Sequence, residues 1–167
     1  MTSEKTSLSP RQRRTRVSRL FAVQTTYSAI TQNIDFMAQF EKGPDQQLPC
    51  FDDETPFSAK EIERSLVRKL LFTLDDNHAM FQNFLSETLG APHPWATLDK
   101  LLQSIVLCAV SEIYMEKAPL PVIVNEYLEI TRSFYDEDPI RLIHGALQAI
   151  SEQRDLLLAP PEDNSQL

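Results

Sequence analysis

Six basic side chains crowd the first nineteen residues: Lys5, Arg11, Arg13, Arg14, Arg16 and Arg19, against the single acid Glu4, for a local charge of +5. The other residues carry ten basic and 23 acidic side chains, a charge of −13, and the two parts give the chain its net −8. Guanidinium is the side chain best matched to phosphate, because its planar fork donates two parallel hydrogen bonds. Arg13, Arg16 and Arg19 stand at i, i+3 and i+6, so a helix would align them as one slowly drifting ridge. Arg14 borders that ridge and Arg11 sits at its mouth. The chemistry on offer is electrostatic capture of a phosphate chain, acting over a screening length of about 8–10 Å. Acids on the body offer the other use, ion pairs that neutralise the ridge. Arginines at a helix start oppose the helix dipole, which weighs toward binding. Single-stranded RNA also needs aromatic faces for its bases. Phe21, Tyr27, Phe134 and Tyr135 are the candidates, although aromatics at helical spacing more often serve the core, and Tyr27 is split between core packing and a partner surface.

Other chemistry is poorly provided for. His78, His93 and His144 are far apart and lack cysteines at ligand spacing, so no metal site is expected. Cys50 and Cys108 are too few for a disulfide framework, which makes a reduced, cytoplasmic setting the default. Cys108, in the most apolar stretch, reads as a buried and inert thiol. Asp52–Asp53, Asp75–Asp76 and Glu126 with Glu129 read as solvated faces or helix caps. Three glycines against eleven prolines exclude a P-loop, a GxGxxG turn and a nucleophile elbow. No enzymatic activity and no cofactor are expected. No stretch reaches the length of about 18 apolar residues that a membrane span needs. The polar, arginine-rich start is not a secretory signal.

The elements that must position the arginines follow from hydrophobic period. The chain has 167 residues, 42% of them apolar, enough for one compact domain. Residues 1–9 read as a disordered tail, 10–158 as the domain, and 159–167 as a flexible C-terminal tail. A first helix is predicted from Arg11 to about Phe40, with Val17, Leu20, Val23 or Gln24, Tyr27, Ile30, Ile34 and Met37 as its buried stripe. Residues 41–56, with three prolines, one glycine and five acids, form a long loop. Ser58 and Glu61 make a capping box for the second helix, with Phe57 and Ile62 as its staple. Its stripe runs through Leu66, Leu70, Leu74, Phe81, Leu85 and Leu89 to a stop at Gly90 and Pro92. The run Asp75-Asp76-Asn77 marks either a kink or a break. Thr97 caps a third, central helix, near-continuously apolar from Leu98 to Ile113. A fourth follows from about Pro121 to Phe134. Asp138-Pro139 opens a fifth, reaching about Leu157. The fold class is all-α.

Three stretches then become familiar. Arg16, Arg19, Ala22, Val23, Gln24 and Tyr27 form the first. Leu120-Pro121-Val122-Ile123-Val124-Asn125-Glu126-Tyr127-Leu128-Glu129-Ile130, ending at Phe134, is the second. Asp136-Glu137-Asp138 followed by Ile143-His144-Gly145-Ala146-Leu147 is the third, and Glu112 falls between the first two. In order and spacing they resemble the NusB transcription antitermination factors. The resemblance implies two small helical bundles packed together, with a basic first helix. It implies binding of the boxA segment of ribosomal RNA leader transcripts, as a heterodimer with the ribosomal protein NusE. NusA, NusG and RNA polymerase would join that complex, and some family members hide the arginine-rich surface in a homodimer. The RNA-binding residues it implies are Arg13, Arg14, Arg16, Arg19, Gln24, Asp138, Arg141 and His144, with Tyr27 at the NusE contact. Asn125 and Glu126 would hold a helix junction.

The sequence departs from the family at four places. Leu107 replaces an arginine, Ser111 a tyrosine, Leu142 an aromatic residue and His144 an asparagine. The expected loss is one phosphate contact and one stacking contact, the latter worth about 1–3 kcal/mol, which His144 could offset by stacking or by pairing with a phosphate when protonated. A helical scaffold that binds proteins only, having lost specific RNA binding, is the alternative function.

Overall fold

A computed structural model of the protein describes residues 7–42 and 59–160. Residues 1–6 of the expected N-terminal tail, 43–56 of the expected loop and 161–167 of the C-terminal tail lie outside the described residues. Ser9 opens helix α1 (Pro10–Gln32). Its Oγ accepts from the Gln12 amide at 3.2 Å, the Gln12 side chain accepts from the Ser9 amide at 2.9 Å, and Pro10 fills the first turn.

The first helix does not run to Phe40. Asn33 ends it with φ 54°, a left-handed conformation that asparagine tolerates. The chain restarts as the short α2 (Phe36–Glu41). Its start is capped from another helix: the Asp75 carboxylate accepts from the Phe36 and Met37 amides at 3.0 and 2.9 Å. That bond pair gives the Asp75-Asp76-Asn77 run its meaning, because α3 (Arg64–Thr88) passes through it unbroken.

Nor does α3 begin at the expected capping box. Residues Ala59–Glu61 form a 3-10 turn and Glu63 precedes the helix, while Phe57 and Ser58 lie outside the described residues. Glu61 accepts from Arg13 Nε at 2.9 Å, and the Glu63 amide donates to Ser18 Oγ at 2.7 Å. The approach to α3 is therefore tied to α1.

Another 3-10 turn, Trp95–Thr97, leads into α4 (Lys100–Met115). Asp99, not Thr97, caps α4 by accepting from the Leu102 amide at 2.9 Å; the Thr97 hydroxyl donates to the Pro94 carbonyl instead. Helix α5 spans Leu120–Arg132, α6 spans Glu137–Glu152 and α7 spans Arg154–Leu158. The start of α6 lies at Asp136, so Asp138-Pro139 falls within its first turn, and its expected run to Leu157 is broken at Gln153.

Every regular element among the described residues is helical. Helix α4 is central, as its apolar run requires: eleven of its sixteen residues are buried, and α1, α3, α5 and α6 pack around it. Helices α1–α3 lie to one side and α5–α7 complete the other, sharing one continuous core through Leu70, Phe81, Ile105, Tyr127 and Ile143. Each such side chain removed from water contributes roughly 1.5–3 kcal/mol.

Candidate nucleic-acid interface

The arginine ridge divides along its length. Its inner end is buried: the side chains of Arg19 and Glu112 are 6% and 3% exposed. Arg19 Nε lies 2.9 and 3.0 Å from the two Glu112 oxygens, and Nη2 lies 2.5 Å from one of them. Tyr127 donates its hydroxyl to the same carboxylate at 2.8 Å. Burial works against the Arg19 charge, but the bonds and charge of Glu112 outweigh it and raise the guanidinium above its ordinary pKa. Burial, reinforced by the Glu112 charge, pushes the Tyr127 phenol well above its usual range. All three groups sit at the α1–α4–α5 junction with their hydrogen-bonding capacity engaged.

One turn outward, Arg16 grips Glu126 with both prongs of its fork, at 2.9 and 2.8 Å. The Glu126 hydrogen bond is the main cause of its raised pKa. Glu126 also lies 3.8 Å from Arg19, so the carboxylate sits between the two guanidiniums and holds the helix junction. Asn125, expected to share that role, is exposed and makes no side-chain hydrogen bond among the described residues. Arg13 pairs with Glu61 at 2.9 Å, both about a third exposed. Arg11 and Arg14 are exposed and make no ion pair among the described residues. The solvent-facing cationic end is thus Arg11 and Arg14 with Arg13 between them. The picture of one open ridge is corrected at Arg19, whose spacing from Arg13 carries it into the core.

Further along α1, Val23 is buried and Gln24 half-buried. Tyr27 is 41% exposed, so it belongs to the surface and not to the buried stripe. Beside it, Tyr135 donates to both oxygens of Asp99 at 2.9 and 3.1 Å. Burial, followed by that hydrogen bond, raises the Tyr135 phenol, and Tyr27 lies near enough for its charge to contribute. Phe21 is buried against Phe40, with ring centroids 6.3 Å apart, and cannot present a face to a base. Phe134 packs half-buried against the core.

On α6, Asp138, Arg141 and His144 are all exposed. Arg141 pairs with Glu137 and Asp138 at 3.3 and 3.9 Å, in water, where such pairs contribute about 0–1 kcal/mol and open readily. Leu142 is half-buried. Leu107 is fully buried within α4 and serves the core. Ser111, also buried, donates to the Leu70 carbonyl at 2.8 Å and so ties α4 to α3. Cys108 is buried with Thr26 at 3.3 Å, and burial pushes its thiol up to about 12. No cluster of three or more His, Cys, Asp or Glu side chains able to hold a metal occurs among the described residues. No described helix is long and apolar enough to cross a membrane.

The sequence model of the NusB family matches residues 16–152. The chain belongs to the NusB family. A relative from Granulibacter bethesdensis named transcription antitermination protein NusB is 30% identical over 117 residues, covering 68% of this chain and 62% of its own. One of the same name from Gluconobacter oxydans is 28% identical over 164 residues, covering 88% and 92%. A third, from Mesorhizobium japonicum, is 27% identical over 95 residues, covering 56% and 61%. The chain therefore spans about three fifths of the length of two of these NusB relatives and most of the other.

Some residues of this end escape a reading of spacing alone. Spacing alone places Thr97, not Asp99, at the start of α4, and it carries no sign of the hydrogen bond from Tyr127 to Glu112. The available signal was chemical: a charged arginine set among Val17, Leu20 and Val23 in an apolar stripe needs a buried acid, and Glu112 is the acid inside the most apolar helix.

Proposed function

We propose that this NusB-family protein is an RNA-binding transcription antitermination factor. It holds a boxA-type segment of ribosomal RNA leader transcripts together with the ribosomal protein NusE, in an assembly that includes NusA, NusG and RNA polymerase. It works in the cytoplasm by binding, without chemistry of its own. The observation that carries this reading is the family match over residues 16–152, shared with relatives named for antitermination. The local geometry supports it: Arg11 and Arg14 stand in solvent at the start of a rigid helix, where two forked donors can grip successive phosphates. Arg13 and Arg16 join them by exchanging Glu61 and Glu126 for phosphate, while Arg19 holds α1 in place. Gln24, Asp138, Arg141 and His144 extend the contact, Tyr27 faces NusE, and a homodimer covering the basic end would silence it.

One observation favours the protein-only scaffold instead. Arg16 and Arg19 both have carboxylate partners within the fold, and the body outside residues 1–19 is acidic. Titration of a fluorescent boxA-type RNA and a scrambled control at rising salt separates the two. The antitermination reading predicts selective binding that weakens with a log–log slope of about −0.7 per phosphate contacted. Equal binding to both RNAs, or none at low salt, selects the scaffold.

A further inference from the structure

Away from the α1 arginines, a shallow groove of about 300 Å³ opens between α3 and the end of α4, lined by Lys69, Phe72, Thr73, Tyr114, Met115 and Lys117. Phe72 is 60% exposed, although it lies in the middle of an amphipathic helix whose other large apolar residues are mostly covered. Its neighbours one turn back are Arg68 and Lys69, so the ring rises from a cationic stretch of an otherwise acidic body. Asp76, one turn on, ends that stretch. Across the groove, Lys117 stands exposed in the turn after α4, while the adjacent Glu116 is engaged by Arg154 at 3.1 Å. Neither Lys69 nor Lys117 makes an ion pair among the described residues.

An apolar floor with two unpaired ammonium groups at its rim has a definite complement. Aromatic and methionine side chains supply adaptable contact area, and rim charges set partner choice and encounter rate. We propose that this groove docks an acidic segment of a partner protein, one large apolar side chain lying against Phe72 and Met115 while flanking carboxylates meet Lys69 and Lys117. A polypeptide fits better than RNA, because the two cations lining the groove are ammonium groups and not phosphate-gripping forks, and the adaptable Met115 beside Phe72 and Tyr114 suits an apolar side chain. The proposal is independent of the antitermination reading.

The test uses the full chain, labelled with 15N, and a ten-residue peptide of glutamates and aspartates around a central Phe-Leu pair. Its controls are the same peptide with lysines for acids, and a short single-stranded RNA. The expected result is shifts confined to residues 69–73 and 114–117, caused by the acidic peptide alone and suppressed by salt. Phe72→Ser, and separately Lys69→Glu with Lys117→Glu, should each weaken binding about tenfold or more. Phe72 is exposed, so its replacement leaves the fold intact, which the unchanged remainder of the spectrum verifies. Absence of shifts, binding that ignores these substitutions, or the same shifts caused by RNA would overturn the proposal.

Discussion

Arg19 and Glu112 form an ion pair that the protein cannot lose by halves. Both are buried, so Arg19→Ala strands a carboxylate that keeps only the Tyr127 hydroxyl. Breaking a buried pair from one side costs about 3–5 kcal/mol, and a urea titration should show the midpoint falling with the slope unchanged. Arg19→Lys should recover only part of this, because a point charge cannot reproduce three donor contacts. Arg14→Ala, on the same helix but in solvent, should alter stability by less than about 0.5 kcal/mol. Cys108 makes an alkaline prediction. Its thiol rises from 9.0 to about 12 on burial, so the folded chain keeps a proton that the unfolded chain releases. That contribution is fully present below pH 9 and lost as pH climbs toward 12, and the Tyr127 phenol works in the same direction. Urea midpoints measured from pH 8 to 11 should fall, and fall less steeply in Cys108→Ala. At this scale the sequence was legible for Cys108, whose apolar neighbours announce its burial. It was opaque for Arg19, because a guanidinium at i+6 from Arg13 reads as surface until the acid in α4 is placed beside it.

Among the elements, α2 depends most on a residue distant in sequence. Asp75 satisfies two of its opening amides from the middle of α3, and α2 carries Phe36 and Phe40 into the core. Asp75→Ala should therefore cost about 0.5–2 kcal/mol, the usual range for a lost cap, and hydrogen exchange should quicken at residues 36–41 before it does elsewhere. Uniform exchange across α1 and α2 would refute that tertiary cap. The same contact explains where periodicity misled. A three- and four-residue stripe continues across Asn33, so pattern alone fuses α1 with α2; the left-handed turn and its remote cap carry no local hydrophobic signal. At α3 the local signal stands ahead of a 3-10 turn at Ala59–Glu61, with Glu61 held by Arg13, and the helix itself starts at Arg64. The central α4 and the later α5 and α6 were legible because their apolar positions are dense and their ends fall near prolines or acids.

At the scale of the whole molecule, charge and packing are segregated. A basic end of +5 stands at the start of α1, on a body of −13 whose acids reach in to hold Arg13, Arg16 and Arg19. Those grips decrease in burial from Arg19 outward, so the helix is anchored at its inner end and available at its outer one. The family was visible in the sequence because three separated stretches kept their order, while the division of labour among the arginines needed the fold. The most direct test of RNA binding through this end is an anisotropy titration of boxA-type RNA, with and without NusE, on the wild-type chain and on Arg11→Glu/Arg14→Glu. Both positions are exposed, so thermal unfolding should be unchanged in the variant. The predicted result is selective binding strengthened by NusE and abolished by the double substitution. Binding of equal strength in the variant would contradict the account.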